Sequence, residues 1–487
     1  MDRTSKTFSV INIGLESFLP GLRQVDARVS HLEWRPPAHG DTELTAILFD
    51  LTVRFLDDTG RSRIDSANEE ALNRIRAGRP VLKRVLPAHQ CIPVMQKTTI
   101  LHAGPPIHWD DMCLPMRGAI IGALKYEGLA DSDAEAQMLM DSGKIFYGPT
   151  YPHAAVCPMA GIVSYSMPLL VVENETFGAT AYSTLNEGQG HVLRFGANTP
   201  KVIQHLHWLA DHLAPALDAA LVERGGVALT NIMAQALAMG DEMHQRNMAA
   251  SMLFFRELCR DLDAVIPSRA DAVRVMDYLL RENDQFFLNL AMAACRSLLM
   301  PTENIPYSSM ITSMGRNGVN FGITVSALGS RWFTAPSLNP RGIYFPGYSE
   351  ADANPDMGDS SIVECCGLGG FAMGASPAVA RFFESVGANQ AARYTREMAH
   401  ICVGSNANLP IPNMDFAGVP TGIDIRKVTA TGILPIINSG LAHRLAGIGQ
   451  VGAGIATPPM EAVHLALRAF HAHLNVTSQN GTPDAPN

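Results

Sequence analysis

No run of lysine or arginine occurs anywhere in these 487 residues, and the formal net charge is −9. Nucleic-acid binding needs a basic face, so that partner is excluded. Long hydrophobic runs are missing too. The longest, Ala160 to Val172, is about half a membrane span and contains Pro168, so no transmembrane helix and no membrane partner are expected. The opening MDRTSKTFSVINIG has no basic segment followed by an apolar one, which argues against a signal peptide. The eight cysteines (91, 113, 157, 259, 295, 365, 366 and 402) form no CxxC pair. Only Cys365 and Cys366 adjoin, and adjacent cysteines rarely bond each other. A reduced, cytoplasmic protein is the expectation.

Motifs that announce a particular chemistry are absent as well. No Gly-x-Gly-x-x-Gly follows the first strand, and no Gly-x-x-x-x-Gly-Lys-Ser/Thr loop occurs, which leaves nucleotide binding unsupported. There is no Gly-x-Ser-x-Gly elbow for an α/β-hydrolase. Without an HxxxH pair or clustered thiols, neither a metal nor another cofactor is expected.

What the chain does have is apolar residues (47%), little charge (17%), 41 glycines and 31 prolines. That composition describes a globular protein of two to four domains, with a large core and substantial buried contacts. Ser9 to Trp34 reads as strand, helix, strand, with Gly14 at the first turn. Ser66 to Ala77 reads as a helix and Pro80 to Pro87 as a buried strand. Asp110 to Gly128 is helical with small residues inside, and so are Lys201–Leu221, Thr230–Leu262 and Asp271–Arg281. Strands return at Asn320–Ala327. The resulting expectation is a multidomain α/β protein. It comprises a small Rossmann-like domain (1–96), a mixed α/β segment (97–200), a helical subdomain (201–300), a glycine-rich α/β domain (301–474) and a disordered tail (475–487).

The most informative segment is Gly358 to Met373, GDSSIVECCGLGGFAM. It reads as a strand, a turn at Gly367, Gly369 and Gly370, and a helix over Phe371–Phe383. Such a turn suits either an anion or close packing, because glycine lets backbone approach and helix N–H groups carry positive potential. Arg316-Asn317 and Arg426-Lys427, each near a glycine turn, are the candidates for binding phosphate or carboxylate. Asp241, His244 and Asn247 fall on one face if their segment is helical, which serves either proton transfer or a helix–helix network. His153 and Cys157 are four apart, but Cys157 reads as a small buried hydrophobe.

The segments ILHAGPPI (100–107), MRGAIIGAL (116–124), VVENETFG (171–178), TLNEGQG (184–190), ALAMGDEMHQRN (236–247), ANPDMGDS (353–360), PTGIDIRKV (420–428) and GILPIINSGLAH (432–443) together resemble the YlbE/YahG-like family. The resemblance runs from about residue 8 to 470. That family, long a domain of unknown function, includes a subunit of oxamate carbamoyltransferase, a heteromeric enzyme of anaerobic allantoin catabolism. It interconverts oxalurate plus phosphate with oxamate plus carbamoyl phosphate, from which a carbamate kinase makes ATP. The resemblance implies a transferase subunit whose partners are a small anionic metabolite, phosphate, other subunits and further copies of itself. On that reading Arg316, Asn317, Arg426, Lys427, the Gly367–Gly370 turn, Asn174 and Glu187 would hold the anions. His102 or His244, with Asp241, would move protons. Two other readings stay open: a stand-alone hydrolase or lyase of a small amide, and a non-catalytic assembly or ligand-sensing protein.

Overall fold

The computed structural model describes residues 9–479, except 26, 33 and 385–387. Helices and strands alternate through the chain, and the strands form several small sheets, the α/β class expected from the sequence. The first strand–helix–strand unit is present. Ser9–Ile13 and Arg28–Leu32 pair in parallel, joined by a short helix at Leu19–Gln24. Parallel strands usually have both faces covered, yet here Ile11, Ile13, Phe18, Leu32 and Trp34 are exposed. The strand Pro80–Pro87 belongs elsewhere, pairing with Val227–Ala228 and Pro168–Asn174 in a five-stranded sheet.

Against that sheet lies Phe286–Leu299, a helix buried at every position. Its sequence, FFLNLAMAACRSLL, is apolar on all sides, the pattern of a helix enclosed by a large core. Its one charge, Arg296, pairs with Glu303 and stacks on Tyr151, 4.0 Å from the ring centre.

Two further sheets position the site. The strands Phe333–Pro336, Asn320–Val325, Ile311–Asn317 and Met357–Gly358 form an antiparallel sheet in that order. Arg341–Tyr344, Gln450–Ala456 and Ile437–Ala442 form another, with Ile437–Ala442 at its edge.

Three expectations are corrected. The helix expected over 230–262 is two helices, Leu229–Ala238 and Met248–Val265. Gly240 and Met243 take positive φ between them, and Asp241 Oδ2 accepts from Ala250 N, starting the second helix afresh. Apolar spacing that stays in step on both sides hid the break. The strand expected before the glycine cluster is a helical turn, Ile362–Cys365, followed by Gly369–Ala375 and then Pro377–Glu384. The first residues of the tail expected from 475 are helical instead, since the helix Met460–Gln479 runs through them. Residues 480–487 lie outside the described residues.

Candidate functional site

Between Asp356 and Gly370 the chain carries three buried carboxylates, and each holds a different part of the protein. Gly358 lies opposite Arg316 in the sheet, which sets Asp356 beside the arginine. Arg316 Nε donates to Asp356 Oδ2 at 2.8 Å, and Ser439 Oγ donates to Asp356 Oδ1 at 2.7 Å. Asp359 accepts from Gly104 N (2.7 Å), Thr150 Oγ1 (2.9 Å) and Cys157 N (3.0 Å), and burial raises its carboxyl above the ordinary range. Ser361 Oγ donates to Met314 O at 2.6 Å. One turn on, Glu364 Oε1 accepts from Gly370 N and Asn438 N, both at 3.1 Å, with His244 Nδ1 2.7 Å away.

A fourth carboxylate completes the group. Glu242 Oε1 accepts from Gln245 N and Arg246 N, and Oε2 accepts from Asn438 Nδ2 at 2.9 Å. Burial pushes Glu242 up to about 7, although His244 and the hydrogen bonds to its charged form pull the other way. Neighbouring strand residues point to opposite faces. Asn438 therefore serves Glu242 and Glu364 while Ser439 serves Asp356, and the edge strand Ile437–Ala442 joins the two halves.

Three polar atoms in this group are buried without any hydrogen-bond partner: Arg316 Nη1, Glu364 Oε2 and Asn438 Oδ1. Native proteins leave few such atoms, and each calls for a cause such as a catalytic role, strain or a bound water. Arg316, Glu242, Glu364 and Asn438 are closed off from solvent, whereas His244 keeps 5% exposure. The arrangement offers an imidazole hydrogen-bonded to a carboxylate for proton transfer, and a buried guanidinium nitrogen with no hydrogen-bond partner. Among the described residues no cluster of three or more His, Cys, Asp or Glu is arranged to hold a metal.

Of the residues singled out in the sequence, the structure brings His244, Gly369 and Gly370 together around Glu364, with Arg316 beside Asp356 on the other side of Asn438-Ser439. The others lie apart. His102 is buried at the end of Thr99–His102 with Nδ1 2.9 Å from Ala103 O, and burial lowers it to about 4. Asp241 and Asn247 share a loop with His244, not one helix face. Asn317 closes a hairpin, accepting from Val319 N and Asn320 N. Asn174 closes another turn, accepting from Arg79 N and Thr176 N. Half-buried Glu187 accepts from Arg194 N and is pushed up to about 7 by desolvation.

Gly367 packs on the strand Ala417–Ile423, where a Cβ would meet Thr421 Oγ1 at 2.7 Å. Arg426 pairs with Asp424 and Asp65, and Lys427 donates to Cys402 O at 2.6 Å. Arg426 Nε reaches Ser309, the residue before Met310, which bridges to Asp424. Arg316 is six residues further along, roughly 20 Å at the rise of a strand. Cys157 is buried and burial pushes its thiol up, as for Cys365 and Cys366.

Sequence reasoning did not single out Glu242, Asp356, Asp359, Glu364, Asn438 and Ser439, which form the buried polar group with His244 and Arg316. Each lies inside a segment already singled out, but nothing local distinguishes a carboxylate that will be buried from one that will be solvated.

The comparisons decide the family. A protein from Escherichia coli (strain K12) named oxamate carbamoyltransferase subunit AllG is 46% identical over 416 residues, covering 85% of this chain and 99% of that protein. The chain belongs to the AllG family. The family model for oxamate carbamoyltransferase subunit AllG matches residues 145–360, which include Arg316, His244, Asp356 and Asp359. A second AllG-like relative, the uncharacterized protein YahG of the same organism, is 40% identical over 455 residues, 93% of this chain and 95% of that protein. A crystal structure of a conserved protein of unknown function from Enterococcus faecalis V583 superposes with a TM-score of 0.82 at 43% identity. That match covers 84% of this chain and 98% of the other.

Proposed function

We propose that this chain is a cytoplasmic subunit of a carbamoyltransferase of the oxamate carbamoyltransferase type, acting on oxalurate or a related ureido anion together with phosphate. The observation that carries the reading is the 46% identity to a subunit so named, across almost all of that protein's length. The buried polar group supplies chemistry suited to such a reaction.

Phosphorolysis of oxalurate breaks the bond between the carbamoyl carbon and the amide nitrogen and forms a carbon–oxygen bond to phosphate. The proton leaving phosphate ends on the nitrogen of oxamate, so the net charge is unchanged. The reaction passes through a tetrahedral oxyanion, which calls for a fixed donor and a proton relay. His244 is assigned the relay, taking the phosphate proton and returning it to the leaving nitrogen. Arg316 is assigned to the anion through its unpaired Nη1, which substrate reaches only when the strands closed over it part.

The test is carbamoyl phosphate formation from oxalurate and phosphate, by the chain alone and then with the proteins that co-purify with it. Activity in the mixture only, lost in His244→Gln, is the expected outcome. An intact assembly that forms no carbamoyl phosphate removes oxalurate as the substrate. Phosphate-independent turnover by the chain alone would make it a hydrolase or lyase.

A further inference from the structure

We infer that Glu364 is a positioning residue that holds the His244 proton on Nδ1 and leaves Nε2 as the nitrogen that exchanges protons with substrate. The catalytic half rests on the transfer reaction proposed above, whereas the tautomer does not.

The argument begins with the hydrogen-bond capacity of one oxygen. Glu364 Oε1 already accepts from two backbone N–H groups, Gly370 N and Asn438 N, each at 3.1 Å. Both are donors and can be nothing else. An oxygen taking two N–H donors has no room for a proton of its own aimed at the imidazole. The third contact, 2.7 Å to His244 Nδ1, is therefore made by a proton on the nitrogen. In the neutral ring Nε2 is then the bare nitrogen, and it has no partner among the described residues. The ring also keeps some exposure where Glu242, Glu364 and Asn438 keep none.

The surroundings are built to keep that oxygen in place. Gly369 has φ +57°, and a Cβ there would collide with Glu364 Oε1. Gly369 N donates to Glu242 O at 2.7 Å, which holds the turn closed. The glycine turn is thus wrapped around the protein's own carboxylate. The second donor comes from the open edge of Ile437–Ala442, and Asn438 is pinned there by its side-chain bond to Glu242. Glu364 Oε2 is left without a partner, so the carboxylate is fixed through the oxygen that meets the histidine.

The tautomer can be read without turnover. In full-length protein carrying 15N-labelled histidine, with His244→Gln identifying the signal, a one-bond N–H coupling is expected on Nδ1 and a bare nitrogen at Nε2. A proton on Nε2 would overturn the inference. Its catalytic half is read in the assembled complex with Glu364→Gln, which keeps the acceptor and so the tautomer, but removes the charge that balances the imidazolium formed when His244 takes a proton. The expected result is kcat lower by on the order of 10²–10⁴-fold, the usual value of a positioned proton carrier. KM should stay within about threefold and the melting temperature within a few degrees. A wild-type kcat in Glu364→Gln, with His244→Gln inactive, would overturn the catalytic role of the Glu364 charge alone. Full activity in both variants would overturn the site proposed for the transfer and the role with it.

Discussion

Arg316 and Asp356 face each other wholly inside the protein. The guanidinium donates from Nε to Oδ2 at 2.8 Å and from Nη2 to Oδ1 at 3.3 Å, with side-chain exposures of 0% and 2%. Neither charge can return to water without unfolding the sheet around it.

Removing one partner should therefore be costly. Asp356→Ala strands a buried guanidinium and takes the acceptor from Ser439, at an expected loss of about 3–5 kcal/mol. The double variant Arg316→Met/Asp356→Leu should lose less than Asp356→Ala alone, because an apolar pair fills the space without a stranded charge. Urea denaturation of the three proteins measures both. A double variant less stable than Asp356→Ala would show that the pair itself contributes net stability.

Gly369→Ala and Gly178→Ala separate a strained backbone from a blocked site. Both glycines have positive φ, +57° and +70°, so each substitution costs roughly 1–2 kcal/mol for backbone strain. Around Gly178 the space is open, whereas at Gly369 the new Cβ meets an oxygen held by three donors. Gly369→Ala should lower the melting temperature more, and should also displace His244, seen as a change in its imidazole resonances. Equal melting temperatures would mean that Glu364 moves aside freely.

Stability should bend with pH in two opposed ways. Burial raises Glu242 and Glu187 from 4.5 to about 7, so in that window the native state keeps protons the unfolded chain has released. Their contribution is complete below about 4.5 and is lost as pH rises towards 7. Burial lowers His102 from 6.5 to about 4, so its contribution is lost as pH falls from about 6.5 to 4. Unfolding free energies measured across pH 4–8 should show Glu242→Gln flattening the first slope and His102→Gln the second. A Glu242→Gln curve parallel to wild type would place that carboxyl's titration elsewhere.

Asp359→Asn should loosen the junction between the 100–160 region and the glycine segment. Gly104 N, Cys157 N and Thr150 Oγ1 all donate to the carboxylate, and an amide group turns a donor towards at least one of them. The expected cost is about 1–3 kcal/mol, the range for a buried polar group left unpaired. Faster hydrogen exchange at Gly104 and Cys157 should accompany it. Unchanged exchange at both amides would show that the junction does not depend on the charge.

Local elements were legible because their causes are local. The helix Arg63–Ala77 was read from its periodicity, three residues short at its start, where Ser62 caps the chain by accepting from Asp65 N. The strand Pro80–Pro87 has the length and apolar content of a buried strand and sits between turn signals. The break at 239–247 had one local signal, Gly240, which takes φ +94° just past the first helix and ends it, while Asp241 accepts from Ala250 N in the next. The apolar residues on both sides masked that signal.

By itself the sequence determined the α/β class, most of the elements, the family, and the segments from which the site is drawn. It also brought Arg316, His244 and the glycine turn forward, since glycines, cations and histidines stand out in a low-charge chain. Only the tertiary structure decided which of them meet. It paired Arg316 with Asp356, left Arg426 to Asp424 and Asp65, and turned the glycine N–H groups onto Glu364. The reason is physical: whether a carboxylate is a solvated surface charge or a buried acceptor depends on which distant strands and loops close over it, and no local pattern of residues contains that.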